Sequence, residues 1–257
     1  MFTCQYKRNG LRILEVHYSN NISKLHDQIK SEQKFDILKC YQVDANLKNL
    51  SEFNTLHIDL NQDVDSIVKS FAKNTRNEIN KCYRDDGVNF CINDNVTDED
   101  ISEFITLFRD FDKFKGLNTN IDELRASLIR NKNNVAFCKA LKDNVIVVFN
   151  VYYFDENRAR LKCSVSIRGE DNQERNLIGR CNRTSYLEAI KYFKNKNCTV
   201  FDLGGVSLTD DKDKKNIDSF KSKFGGVPVI EYEGNCPVSL KGYFFMMIYN
   251  LKKKITS

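Results

Sequence analysis

The chain predicts an α/β (α+β) fold in which a central mixed, mostly antiparallel sheet is flanked by helices. Three observations carry that reading. Val135 to Leu141 and Asn144 to Phe154, rich in β-branched and aromatic residues, meet at the turn Lys142-Asp143-Asn144, and Arg158 to Ile167 follows the turn Asp155-Glu156-Asn157. Such a run reads as an antiparallel meander. On either side apolar residues recur at helical spacing, at Val64, Ile67, Val68 and Phe71 before it and at Tyr186, Leu187, Ile190 and Phe193 after it. The third observation is a strand, Thr199 to Leu203, that runs into Gly204-Gly205, with a second pair, Gly225-Gly226, closing Phe220-Lys221-Ser222-Lys223-Phe224. Glycine pairs past a strand let the backbone turn sharply and let a ligand approach main-chain N–H groups.

Taken in order, residues 1 to 54 read as a small N-terminal α/β annex, with extended pieces at Arg12 to Tyr18 and Phe35 to Cys40 around a helical piece from Ile22 to Ile29. Residues 55 to 257 read as the main domain. After the strand Thr55 to Leu60, the apolar stripe extends through Ile79 and Cys82, predicting one helix from about Val64 to Arg84, ended by Asp85-Asp86-Gly87. Val88 to Ile92 resumes as a strand. Thr97-Asp98-Glu99-Asp100 supplies a capping side chain and an acidic first turn for a helix that buries Ile101, Phe104, Ile105 and Phe108. A further helix covers Ile121 to Ile129 before the meander. A short helix near Ile217 to Lys223 and two final strands complete the chain.

Composition narrows the class. At 257 residues the chain can bury a sizeable core. Its nine cysteines are scattered, form no CxxC pair and follow no signal-like segment, so they read as reduced thiols of a cytoplasmic protein. No run of apolar residues is long enough to span a bilayer. The net charge of +5 is low for a protein dedicated to duplex nucleic acid. Lysines cluster at Lys212, Lys214, Lys215, Lys221 and Lys223 and again at Lys252, Lys253 and Lys254. A solvated surface, an anionic donor or peripheral contact with an anionic membrane all fit them. Zinc-ligand spacing, a P-loop, a GxSxG elbow and a dinucleotide fingerprint are absent, so the chemistry is expected to need no metal.

Three segments carry a family resemblance: Phe71 to Lys81 leading into Gly87-Val88; Ile178-Gly179-Arg180-Cys181-Asn182-Arg183; and Asp202-Leu203-Gly204-Gly205 with Phe220 to Gly226. In this order they resemble the GNAT acyltransferase superfamily, most closely its Fem-type branch of peptidoglycan-bridge aminoacyltransferases. The likeness covers roughly residues 55 to 240. It implies a short, single-domain acyltransferase whose sheet carries two splayed strands, here Arg158 to Ile167 and Thr199 to Leu203, at the donor site. The longer members carry a duplicated unit and a helical arm for tRNA, for which this length leaves no room.

The resemblance further implies a helix beginning near Asn182, with Gly179, Arg180, Cys181, Asn182 and Arg183 at its entrance as the donor-binding segment; a long surface loop with a helix cap is the alternative. Free amides at a helix start favour an anion by about 0.3 to 1 kcal/mol. The donor implied is acetyl-CoA or another acyl-CoA, with aminoacyl-tRNA as the alternative, and the acceptor is an amino group of a sugar or cell-envelope precursor, as in polysaccharide biosynthesis. Asp202 is the candidate catalytic carboxylate, able to take the proton of an attacking amine, and shaping the turn is its other reading. Arg76, Arg84, Gly204, Gly205, Lys221 and Lys223 are the substrate-binding candidates. A different class of function also fits these residues: a non-catalytic module with a degenerate transferase fold that holds an anionic glycan, lipid head group or RNA.

Overall fold

The structure, a computed structural model, describes residues 1–207 and 212–256, and the side chains of 212, 213 and 252–256 are outside that description. The lysine clusters at Lys212 and at Lys252 to Lys254 therefore lie outside the described side chains.

In chain order the elements are β1 (Phe2–Arg8), β2 (Leu11–His17), α1 (Ile22–Glu32), β3 (Ile37–Val43), β4 (Leu50–Asp59), α2 (Val64–Ser70) and α3 (Lys73–Lys81). A π-helical turn, Cys82–Asp86, leads to β5 (Val88–Asn93), α4 (Asp98–Lys115) and α5 (Ile121–Arg130). Then come β6 (Val135–Lys142), β7 (Val145–Phe154), β8 (Arg158–Ser166), α6 (Asn172–Asn195), β9 (Val200–Asp202), α7 (Lys212–Ser222), β10 (Val227–Pro237) and α8 (Leu240–Thr256).

The chain divides into two compact units, one formed by residues 1–55 and 229–257, the other by 56–228. The sequence reading placed 229–257 with the second; the structure places it with the first. In the first unit the strand order is β1-β2-β3-β10, with β2 and β3 parallel across α1 and the remaining pairs antiparallel. Val16, Ile22, Ile29, Leu38, Cys40, Val43 and Val238 form its core. Asp36 anchors the unit: its carboxylate accepts from the Arg12 backbone N–H at 2.8 Å, from the Arg12 guanidinium at 3.1 and 3.2 Å, and from the Ser239 hydroxyl at 2.8 Å. Where two final strands were expected, β10 is followed by α8, whose Phe245 and Met246 pack on Leu11, Ile13 and Ile37.

In the second unit the order is β4-β9-β8-β7-β6-β5, antiparallel except for the parallel pair β8–β9. Residues paired across strands share a face. One face carries Ile58, Phe201, Ala159 and Tyr152 and packs against Ile190 and Phe193 of α6. The other carries Phe137, Phe149 and Tyr153, which meet Phe104 of α4 and, through a 2.9 Å hydroxyl contact, Ser127 of α5. Each fully buried phenylalanine here adds about 1.5–3 kcal/mol over an exposed one.

Two local departures have clear causes. The single helix expected from Val64 to Arg84 breaks at Phe71 (φ −67°, ψ 146°), and Arg76 closes the break by donating to the Lys69 carbonyl at 2.9 Å and to the Phe71 carbonyl. Phe71 turns inward instead, against Phe224. The helix expected near Asn182 begins ten residues earlier, because the Asp171 side chain caps the Glu174 N–H at 2.8 Å. The capping box at Thr97 and Asp100, by contrast, stands where the sequence placed it.

Candidate active site at the fork of the sheet

β8 and β9 pair only through Arg158↔Val200, Ala159↔Phe201 and Arg160↔Asp202. β9 then ends, while β8 runs on to Ser166. A register shift opposite Val151 and Tyr152 leaves Lys162 as an extra residue in β8. Such a bulge bends a strand and strengthens its local twist. The two strands expected to part thus pair over three residues only, and β8 extends past the end of β9.

The polar side of the fork is built by register. His57 of β4 lies across from Asp202, Arg160 lies beside Asp202 on the other side, and Arg158 is two residues from Arg160 on the same face. Asp202 is fully buried. It accepts from the Arg158 guanidinium, whose Nη2 also lies 2.8 Å from His57 Nε2, and from the Gly204 N–H at 2.8 Å. Burial would push the Asp202 carboxyl up, but His57 and the charges of Arg158 and Arg160 outweigh it and hold the carboxyl far below the usual carboxylate range.

That environment corrects the reading of Asp202 as a proton acceptor. A carboxylate so stabilised is a weak base. Lys221 is the neighbouring titratable group. It is buried, reaches in from α7 and donates to the Gly205 carbonyl at 2.6 Å. Burial pulls its ammonium down to about 8, partly opposed by Asp202.

Gly204 is required where it stands. At φ +77° a Cβ would lie 2.8 Å from the Leu161 carbonyl oxygen and 3.5 Å from Lys221 Nζ. Gly205 offers its carbonyl to Lys221, and Lys223 is half-buried, its carbonyl accepting from the Ala72 N–H at 2.8 Å. The second glycine pair has a packing role, since a Cβ on Gly225 (φ +71°) would meet Ser70 at 2.5 to 2.9 Å.

The other candidates lie elsewhere in this unit. Gly179, Arg180, Cys181, Asn182 and Arg183 sit in the middle of α6, where amides are spent on the helix itself, so no helix entrance is available there. Arg180 is buried and forked onto Asp86 at 2.6 and 2.8 Å. Cys181 packs with Cys82, and Arg183 donates to the Gly179 carbonyl and lies over the Phe220 ring. Asn182 Oδ1 is buried with no hydrogen-bond partner among the described residues. Arg76 caps α2, and Arg84 is exposed and paired with its neighbour Asp85.

Along the free length of β8 a cavity of about 580 Å³ opens between the ends of β7 and β8, α4 and the first turns of α6. Phe114, Lys115, Arg168, Gly169 and Arg175 line it, with the Arg168 guanidinium 5.0 Å over the Phe114 ring. Val165 pairs with Phe149 and Arg160 with Tyr153, so the fork and this cavity open on the same face of the sheet.

A six-stranded unit forked at its one parallel pair, with helices on both faces, is the GNAT-like architecture. Among solved structures, the chain is similar to FemX (13% identity, TM-score 0.63, covering 96% of this chain and 86% of that one). It is also similar to the C-terminal domain of a proposed lysylphosphatidylglycerol synthetase from Agrobacterium fabrum (11% identity, TM-score 0.53, 96% and 83% covered). A third similar structure is a conserved protein of unknown function from Bacteroides thetaiotaomicron (11% identity, TM-score 0.55, 91% and 81% covered). At these identities the likeness is one of fold. No family model matches the chain, and no curated protein does.

Proposed function

We propose that the protein is an acyltransferase that moves an acyl or aminoacyl group from an activated carrier to an amine, with the reacting atoms at the fork of β8 and β9. The observation that carries this reading is Lys221, a buried amine with its proton affinity lowered to about 8, set close to Asp202 and Arg160. The acceptor nitrogen attacks the carbonyl carbon, the new C–N bond forms, and the C–S or C–O bond to the carrier breaks. Neutral Lys221 takes the proton released by nitrogen and returns it to the leaving sulfur or oxygen. The guanidinium groups of Arg158 and Arg160 favour the oxyanion that develops between these events.

Acyl-CoA is the favoured donor. Lys115, Arg168 and Arg175 on the cavity beyond the fork suit a phosphate-bearing carrier of that size. The Fem-type resemblance of the sequence supports the second reading, aminoacyl-tRNA as donor, and an amino group on a sugar or cell-envelope precursor as acceptor. The test is a mass-spectrometric transfer assay offering acyl-CoA and aminoacyl-tRNA separately with amino-sugar and peptide acceptors. With the competent donor, Lys221→Met is expected to lower kcat/KM by about a hundredfold or more. In the wild type kcat/KM should climb as pH rises towards about 8 and then level off, following the loss of the Lys221 proton. Transfer by neither donor would end the enzymatic reading. An unaltered rate and pH profile in Lys221→Met would remove Lys221 from the chemistry.

A further inference from the structure

The first unit contains a helix that is apolar on both faces. The inward face of α8 seats Phe245 and Met246 on Leu11, Ile13 and Ile37. Its outward face carries Leu240, Tyr243, Phe244, Met247, Ile248 and Leu251, at the i, i+3, i+4, i+7, i+8 and i+11 positions of one stripe. All six are exposed, Leu240 at 90%, Phe244 at 62%, and Met247 and Leu251 at 54% each. Scattered surface leucines need no explanation, but a continuous stripe with two aromatics and a methionine does.

Charge selects the occupant. From Ser239 to Ser257 the sequence has no Asp or Glu and four lysines, Lys241 near the start of the helix and Lys252, Lys253 and Lys254 after the stripe. Lys241 donates to the Gly10 carbonyl, which brings the β1–β2 turn, with exposed Lys7 and Arg8, to the start of α8. Both ends of the stripe are therefore basic. Two copies of the chain packed stripe to stripe would oppose like charges in either alignment, whereas anionic headgroups neutralise both ends. No helix among the described residues is long and apolar enough to cross a membrane.

We propose that α8 is a docking surface for an anionic lipid bilayer, lying in the interface with Leu240, Phe244, Met247 and Leu251 among the acyl chains and the flanking lysines at the headgroups. The inference is independent of the acyltransferase reading.

The test is flotation of the full-length protein with phosphatidylcholine vesicles containing about a third phosphatidylglycerol, against phosphatidylcholine alone, at low and raised salt. The wild type is expected to float with the anionic vesicles and to release as salt rises. The double variant Phe244→Asp, Met247→Asp should lose roughly tenfold or more of that binding, since two apolar anchors become charges at the acyl boundary. Its far-UV circular dichroism should be unchanged, and if it is not, Phe244→Ser is read in its place. Absence of wild-type binding, or equal binding by the variants, would overturn the proposal. So would a wild-type dimer on sizing that the variants abolish while vesicles bind neither protein, an outcome that assigns the stripe to a second copy.

Discussion

At the scale of single residues, the candidate site turns on the buried charge of Asp202 and the groups that hold it. Asp202 stood out in the sequence because an aspartate at a strand end, just ahead of a glycine pair, is a turn signal with chemistry attached. Its role was not legible, since the partners that fix its protonation, His57 and Arg158, are 145 and 44 positions away and meet it only through strand register. His57 offered little signal, since Leu56-His57-Ile58-Asp59-Leu60 alternates as any half-buried strand does. Asp202→Asn is expected to cost about 3 to 5 kcal/mol in urea unfolding, because it leaves buried guanidinium charge without its counter-charge. Asp202 also raises the proton affinity of Lys221. In any fraction of Asp202→Asn that folds, the pH at which transfer levels off should therefore move below the wild-type value of about 8. A midpoint that stays put would show that the two groups do not communicate.

At the scale of elements, strands and their turns were more legible than helix boundaries. The meander came through because β-branched runs and Asx turns are local signals, read within a few residues. The start of α6 did not: Asp171 with Glu174 is a readable cap, but Gly179 and the family likeness of the segment around it drew the expected start ten residues late. The break after α2 was illegible for a different reason, since Phe71 fits the helical stripe and leaves it only to meet Phe224, far along the chain. What looked like a donor loop on α6 is instead a strut. Arg180 and Asp86 form a buried bidentate pair that ties α6 to the π-helical turn after α3. Arg180→Met strands the Asp86 carboxylate and should cost about 3 to 5 kcal/mol, while Arg180→Met combined with Asp86→Leu should recover much of the loss. Urea melts of the two single variants and the double give the coupling. Additive losses would mean that the pair contributes nothing beyond its separate packing.

At the scale of the whole molecule, the composition of the core announced a layered α/β protein, but the division into units did not show in the sequence. Residues 229–257 return to the N-terminal segment through β10 and α8, and no composition shift or linker marks that return. The outward stripe of α8 was hidden for the same reason: its apolar run satisfies a strand pattern as well as a helical one, and only the seating of Phe245 and Met246 separates the two. In each unit a buried carboxylate is nevertheless held below its ordinary range. Asp36 is held down first by the hydrogen bond from the Arg12 guanidinium, and Asp202 by His57 and two arginines against its burial. A carboxyl whose proton affinity is lowered by folding contributes stability that is fully present above its unfolded value, near 4, and is lost as pH falls through that value towards the folded one. Stability from these two groups is therefore flat from about pH 5 upward and declines steadily below about pH 4. Asp36→Asn should lower the melting temperature of the first unit at pH 7 and flatten its decline in acid, leaving the acid response that arises from Asp202 in place. A calorimetric series from neutral to acid pH on the wild type and on Asp36→Asn measures both slopes, and parallel slopes in the two proteins would show that the Arg12–Asp36 anchor does not set the acid limit of its unit.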